Sequence, residues 1–439
     1  MLKRFAGTAA VASARTERQG DAPTLLTSRQ VHFVLIASAA FVLYWFSSLV
    51  VAARDGTTHF AADTWFYAEL AQGEVFSRVA DNYHLDRILR FHPTTVVLAA
   101  GWMKVVAPLT PLVAPPHLLK AMFAFVGAVG VWAALWAFAA IVPRRHVMLL
   151  GAIYASSLSV WYFSSLEESK IVSATLVALY IATYLHLRER WTTRGAVLLT
   201  VILLLACLNE TIAVFLVAIP AVDTLVQRGW DLRHGCWIAC HALAGPVAFA
   251  VLEGIMRGRS GPAGTDPEGA NHFSMLVYYI SQSQHTAASL YEFVIRWLFF
   301  SVAAPSPTAR YDADASVHYG GDFEPLLANY LSSPVSAALV VLFCAMLVVS
   351  VLPRYREKGA TACMPGVLLA LAAYALLRGA FFLVFIPHEC ILFSASVVLA
   401  HLLLITIPFA ASSFPWKQHV LAGFAALLFI TNLTFIVGR

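Results

Sequence analysis

From Val31 to Ala53 the chain reads VHFVLIASAAFVLYWFSSLVVAA, with no Asp, Glu, Lys or Arg in it. A stretch of this kind is long enough to cross the roughly 30 Å hydrocarbon core of a bilayer as one helix. Similar apolar runs recur to the C-terminus, and they exclude most folds at once. In lipid every backbone N–H and C=O must be paired within the chain, so a crossing segment is a helix or part of a closed barrel. These runs are longer than barrel strands and do not alternate. The expectation is an all-α polytopic membrane protein. Composition agrees, since only 12% of the 439 residues are charged and 60% are hydrophobic, whereas about 25% of a soluble chain is charged.

The six cysteines (Cys207, Cys236, Cys240, Cys344, Cys363 and Cys390) fall mostly within or beside apolar runs. None forms a C-x-x-C pair or a secreted-type framework, so they read as small core residues. The net charge of +5 is dispersed between the apolar segments and gives no nucleic-acid signal. The first run is too long for the apolar core of a cleaved signal peptide and reads as a retained anchor.

Orientation follows from the basic residues. A tail over 1–29 with Lys3, Arg4, Arg15, Arg18 and Arg29 precedes the first span and belongs in the cytoplasm by the positive-inside rule. The segment PTTVVLAAGWMKVVAPL contains Lys104 and is bounded by Pro108, Pro111, Pro115 and Pro116. If it crossed, every later basic turn would fall outside. If it lies along the outer surface or re-enters, then PRRH (143–146), HLRERWTTR (186–194), QRGWDLRHG (227–235) and PRYREK (353–358) all fall inside. The second arrangement obeys the rule throughout. The spans expected are 30–53, 118–142, 147–165, 171–187, 195–208, 212–227, 235–256, 334–352, 364–386, 390–411 and 418–437, about eleven helices plus outer juxtamembrane helices. They divide into a transmembrane module over 30–256 with an outer loop 54–117, a long outer loop over 257–333, and C-terminal transmembrane helices over 334–439. Within 257–333, the stretch ending VIRWLFF is amphipathic enough to dip into the interface.

This layout sorts the polar residues. Inner turns are basic. The outer turns collect Asp63, Arg87, Arg90 and His92 in the first loop, Glu167, Glu168 and Lys170 in SSLEESK, Asn209 and Glu210 in LNET, and His388 and Glu389 in PHEC. Charge placed at a membrane boundary facing a bundle is costly and marks a pathway or a site. Each residue also has a structural role open to it. Asp63 is placed to cap TWFYAEL, with Trp65 and Tyr67 as interface anchors. Glu167 and Glu168 can cap the next helix, Lys170 can extend its amine to the headgroups, and Glu210 can be a first-turn acid favoured by the helix dipole. His388 and Glu389 can start the tenth span. Arg378 sits in the middle of YALLRGAFF, where an unpaired Arg costs at least about 2.5 kcal/mol. By depth Asp223 in the sixth span is its partner, with a lipid phosphate as the other choice.

The arrangement resembles the GT-C superfamily of integral-membrane glycosyltransferases. The resemblance covers residues 30–230. It rests on the acid early in the first outer loop (AADTWFYAEL, Asp63), on FHPTTVVLAAGWMKV, which is similar to the His-Pro-led juxtamembrane segment of the protein mannosyltransferase and aminoarabinose transferase branches, and on the polar outer turn SSLEESK. His92-Pro93-Thr94 carries one proline where those branches have two, and Glu-Glu-Ser-Lys stands where they tend to have Arg followed by Asp, so the likeness is to the superfamily and not to a branch. It implies a polyprenyl-phosphate-linked sugar as donor and a lipid, glycan or protein as acceptor. Transfer would occur at the outer face of a bacterial inner membrane, with inversion. It implies Asp63 as the base for the acceptor hydroxyl, and Lys170, Arg90, His92 and Arg378 as partners of the leaving phosphate. Trp65, Tyr67, Glu167, Glu168, Glu210, His388 and Glu389 would then contact sugar or acceptor. No metal site has fixed ligand spacing, although these acids are oxygen ligands of the type a divalent cation takes.

Three other functions fit a chain of this layout. A flippase or transporter for lipid-linked glycans calls for mid-membrane charges and broken helices; here the mid-span charges are few, Asp223 and Arg378. An O-antigen polymerase or ligase calls for more Arg in the outer loop than Arg257, Arg259, Arg296 and Arg310. A membrane O-acyltransferase leans on a buried His, and His241 and His401 are lone candidates.

Overall fold

The computed structural model describes residues 28–55, 89, 92–188, 191–229, 232–257, 277, 280–281, 287–304, 330–331, 333–352, 365–385 and 390–438. These are predominantly helical, without a β-strand. In chain order the helices are α1 (Ser28–Asp55), α2 (Pro93–Val106), α3 (Pro115–Ile141), α4 (Arg144–Ser156), α5 (Leu158–Ser164), α6 (Ser169–Leu187) and α7 (Thr193–Asn209). After a 3-10 segment (Thr211–Val217) come α8 (Ala218–Arg228), α9 (Leu232–Arg257) and α10 (Ala287–Ile295), which continues as a π-helical turn (Arg296–Phe300). The last four are α11 (Pro334–Val351), α12 (Pro365–Phe385), α13 (Cys390–Ala410) and α14 (Lys417–Gly438).

Seven of these, α1, α3, α6, α9, α12, α13 and α14, are long and apolar enough to cross a membrane. The pair α4–α5, bent by 60°, makes an eighth if it acts as one span. This is the build of a multi-pass membrane protein. The segments 193–209, 211–227 and 334–350 are helical and apolar but shorter. Local sequence accounts for several helix starts. Pro lies in the first turn of α2, α3 and α11, where its missing N–H costs nothing and its φ is already helical. Thr192 caps α7 by accepting from Gly195 N at 3.1 Å.

Packing fixes which ends lie together. Helices α3 and α6 run side by side in the same direction, with Lys120 near Glu167 and Thr175 Oγ1 donating to Val126 O at 2.9 Å. The approach is close because Gly130 faces Thr175; one turn earlier Gly127 faces Ser164 of α5, and a Cβ on Gly127 would fall on that side chain. Gly127→Val should therefore destabilise the protein by about 1–3 kcal/mol, the usual cost of overpacking. Chemical unfolding in detergent would read this, and an unchanged midpoint would show that α3 and α5 have room to part.

The doubtful segment 93–109 forms α2, whose Thr94 Oγ1 donates to Leu205 O at 2.8 Å while Trp102 Nε1 donates to Leu118 O at 2.9 Å. Leu205 is in the last turns of α7 and Leu118 in the first turn of α3. Both contacts lie near one end of the bundle, so α2 is laid across that end.

Two features depart from the reading of the sequence. The third expected span, 147–165, is not continuous: it breaks at Ser157, which is extended at φ −62°, ψ 135°. The freed amides find carbonyls from a distant segment. Leu158 N donates to Val302 O at 2.8 Å and Ser159 N to Ser301 O at 3.1 Å. The second departure is that donor segment itself. Residues 295–304 belong to the loop expected over 257–333, dipping into the interface at most. Instead Arg296, Trp297, Phe300, Ser301, Val302, Ala303 and Ala304 are buried in the bundle. Asn432 of α14 holds the junction: its Nδ2 donates to Ser156 O at 2.7 Å and Val302 O at 2.9 Å, and its Oδ1 accepts from Ala304 N at 2.7 Å.

Candidate functional site

The polar residues of separate turns come together at the end of the bundle across which α2 lies. Their hub is Asn209, the last residue of α7, which is fully buried. Its Oδ1 accepts from Thr95 N at 3.2 Å and Thr95 Oγ1 at 2.5 Å. Its Nδ2 donates to Ser169 O at 3.1 Å and Ser173 Oγ at 2.8 Å. Its own carbonyl meets His92 Nδ1 at 2.6 Å. One side chain thus ties α2, α6 and α7 at this end.

Helix α7 stops at Glu210, whose backbone is extended, and the carboxylate turns inward. Its Oε2 accepts from Arg378 Nη2 at 2.6 Å. Arg378 has no exposed surface, and among the described residues its Nε and Nη1, like Glu210 Oε1, have no hydrogen-bond partner. Lys170 and Ser173 also act on the Glu210 carboxylate. The Lys170 amine stands 4.3 Å over the Phe393 ring, and the Arg378 guanidinium 5.4 Å from the Phe382 ring. Phe382 and Phe393 stack on each other with centroids 4.2 Å apart. Trp297, from the buried segment, packs on Phe382 and against Gly379. The charges therefore lie beside an aromatic wall in a dry setting, where each interaction is stronger than in water.

The turn before α6 adds two acids. Glu168 does not cap α6 with its side chain; its Oε1 accepts from Ser169 Oγ at 3.1 Å. Glu167 lies 3.7 Å from Lys120 Nζ. Burial pushes the Glu167 carboxyl above its ordinary range, with Lys120 opposing the shift. A carboxyl raised in the folded state contributes stability below its unfolded pKa and loses it as pH rises through the folded value. Stability of the wild type should fall as pH climbs out of the usual carboxylate range, and Glu167→Gln should flatten that fall. Thermal unfolding between pH 4 and pH 8 reads both curves; parallel curves would exclude Glu167 as the group responsible.

Of the residues expected at the site, His92, Glu167, Glu168, Lys170, Glu210 and Arg378 converge here. Asp63, Trp65, Tyr67, Arg90, His388 and Glu389 lie outside the described residues. The expected pairing of Arg378 with Asp223 is corrected. Asp223 lies towards the opposite end of the bundle, where it accepts from Arg188 Nε at 3.0 Å and Nη2 at 3.2 Å, Tyr184 Oη at 2.7 Å and Gln227 Nε2 at 2.6 Å. It faces Gly366, at the start of α12; Arg378 is roughly 18 Å further along that helix. Depth along the chain did not separate the two acids, because α7 ends early and leaves Glu210 inside the bundle. Glu210 is likewise no ordinary first-turn acid, since its side chain caps nothing.

Sequence reasoning passed over Asn209 as hub, Lys120 as the partner of Glu167, and the Phe382–Phe393 wall. A lone Asn in an apolar run, and a Lys in the first turn of the second long span, were the available signals for the first two. Among the described residues no three His, Cys, Asp or Glu side chains gather as metal ligands. Among the described residues this end holds the cations Lys120, Lys170 and Arg378 and the carboxylates Glu167, Glu168 and Glu210, with unused donors on Arg378 and an unused acceptor on Glu210. That is the equipment to receive a group offering both an oxyanion and hydroxyls. Comparison of the chain with protein-family models and with curated proteins finds no match.

Proposed function

We propose that the protein is a membrane glycosyltransferase that moves a sugar from a polyprenyl-phosphate donor to a lipid, glycan or protein acceptor at the outer face of a bacterial inner membrane. The observation that carries the reading is the meeting of Lys170, Glu210 and Arg378, from segments far apart in sequence, with two guanidinium nitrogens unpartnered among the described residues. In this reading the N-terminus is cytoplasmic and the chain crosses about eleven times, the shorter helices included. The end holding the site is the outer one, which puts the basic turns at Arg144, Arg145 and Arg188 inside.

The chemistry needs two things of the protein. The leaving phosphate gains charge as the glycosidic bond breaks, and fixed cations at that place lower the barrier. Arg378 Nε and Nη1 and the Lys170 amine take that role. The acceptor hydroxyl must lose its proton, and Asp63 is the base. Glu210 Oε1 accepts from a sugar hydroxyl and sets the headgroup against the phosphate pocket. A single displacement inverts the anomeric centre.

The test is transfer in proteoliposomes with polyprenyl-phosphate donors carrying labelled mannose, glucose, galactose, arabinose or aminoarabinose, and a lipid extract of the host as acceptor. Arg378→Lys and Lys170→Gln should each lower turnover by about 10²–10³, the cost of losing one such donor, and Asp63→Asn should abolish it. Full activity in Asp63→Asn would sink the base assignment. A second reading, a flippase for lipid-linked glycans, draws on the 60° break at Ser157 and the buried segment meeting it, since broken helices line transport paths. Labelled lipid crossing between leaflets with no donor turned over would favour that reading.

A further inference from the structure

The opposite end of the bundle carries a feature that sugar transfer does not use. Helices α4 and α14 pack side by side and run in the same direction. Arg145, His146 and Lys417 are together at their starts, and Ser156 meets Asn432 further along. Their macrodipoles therefore add, and two positive helix ends lie next to each other. Both helices open on basic residues, Arg144, Arg145 and His146 on one and Lys417 on the other, and neither has an acid in its first turn. The charges acting on the His146 ring are those of Arg145 and Lys417, both cations.

His146 supplies a separate indication. It has no exposed surface. Its Nε2 accepts from Arg145 Nε at 3.2 Å, which leaves the ring proton on Nδ1. Among the described residues that Nδ1 has no hydrogen-bond partner. A buried donor without an acceptor among the described residues needs one, and between two cations and two helix N-termini the acceptor these surroundings favour is an oxyanion. Lys417 is held in place by the carbonyls of Ala410 and Ser412 at the end of α13, so its charge is fixed at this corner. Next to it Trp416 is 62% exposed beside His419, as an anchor at the membrane–water boundary would be.

We propose that the starts of α4 and α14 bind the phosphate of an anionic phospholipid, with Arg145 and His146 Nδ1 as donors and Lys417 as fixed charge. Basic pockets between transmembrane helices on the positively charged side of a membrane protein recognise such headgroups. The site is independent of the chemistry proposed for the other end and stands or falls without it.

The test uses the full-length protein in nanodiscs of phosphatidylcholine alone or with phosphatidylglycerol, read by thermal unfolding, and native mass spectrometry for retained lipid. Phosphatidylglycerol should raise the unfolding temperature and remain bound, and inorganic phosphate in pure phosphatidylcholine discs should do neither. Arg145→Gln should weaken retention roughly fivefold, the worth of one cation near the surface. His146→Phe should weaken it as well, and His146→Asn, which keeps a donor near Nδ1, should restore it. If His146→Phe does not fold, Arg145→Gln and His146→Asn carry the comparison. Equal retention of both lipids, equal stabilisation by free phosphate, or wild-type retention in Arg145→Gln would overturn the proposal.

Discussion

Arg378→Met is expected to cost about 3–5 kcal/mol of stability, the largest single-residue loss anticipated here. The cause is what it leaves behind. Glu210 is only 8% exposed, and Arg378 Nη2 stands 2.6 Å from its Oε2. Without the guanidinium, the carboxylate must stay charged in a dry place or take up a proton. Lys170 lies near enough to compensate in part. The double variant Arg378→Met with Glu210→Gln should recover most of the loss, because replacing both partners of a buried pair is often close to neutral. Unfolding of the wild type, both single variants and the double variant in mild detergent gives the coupling. If the two losses simply add, Arg378 and Glu210 are not a coupled pair. Transfer activity separates stability from function: the double variant should fold and still not transfer sugar, since the phosphate has lost its guanidinium.

Asn432→Leu is expected to cost about 3 kcal/mol or more, since leaving one buried polar group unsatisfied costs about 1–3 kcal/mol. Ser156 O and Ala304 N lose the Asn432 side chain, and Val302 O is left with Leu158 N alone of the two donors. They belong to two places where a helix stops inside the bundle, at Ser157 and after the π-helical turn. Nothing apolar replaces these bonds, and water reaches the junction poorly because Ser156, Ser157, Ser301 and Ala304 are buried. Hydrogen–deuterium exchange gives the sharper reading. The amides of Leu158, Ser159 and Ala304 should exchange faster in the variant while those in the middle of α3 and α6 keep their protection. Uniform acceleration over all helices would mean that Asn432 supports general stability and does not latch this junction. Asn432→Asp should not rescue, because it retains the acceptor for Ala304 but loses both donors.

Much of the fold was legible because its determinants are local. A bilayer forces apolar residues into long uninterrupted runs, and each of the expected segments falls on helical structure. Proline positions marked the starts of α2, α3 and α11, and the basic turns grouped the helix ends by charge. The same reasoning gathered Glu167, Glu168, Lys170, Glu210 and His92 at one end before any contact was known. Their types were informative because charge at a membrane boundary is costly enough to need a reason.

What local sequence did not carry was pairing and interruption. Arg378 was assigned the wrong acid because depth along a chain does not say which helices are neighbours or where a helix stops short. The break at Ser157 has no proline or glycine to announce it. It exists because the carbonyls of Ser301 and Val302, about 140 residues away, stand ready to accept the freed amides. The same contacts tie down the buried residues Ser301 and Val302. The sequence by itself determined that this chain is a helical membrane protein with its acidic and basic turns at opposite ends. Only the tertiary structure decided which acid meets Arg378 and where two helices end inside the bundle, since both depend on partners that come close only after the helices have packed.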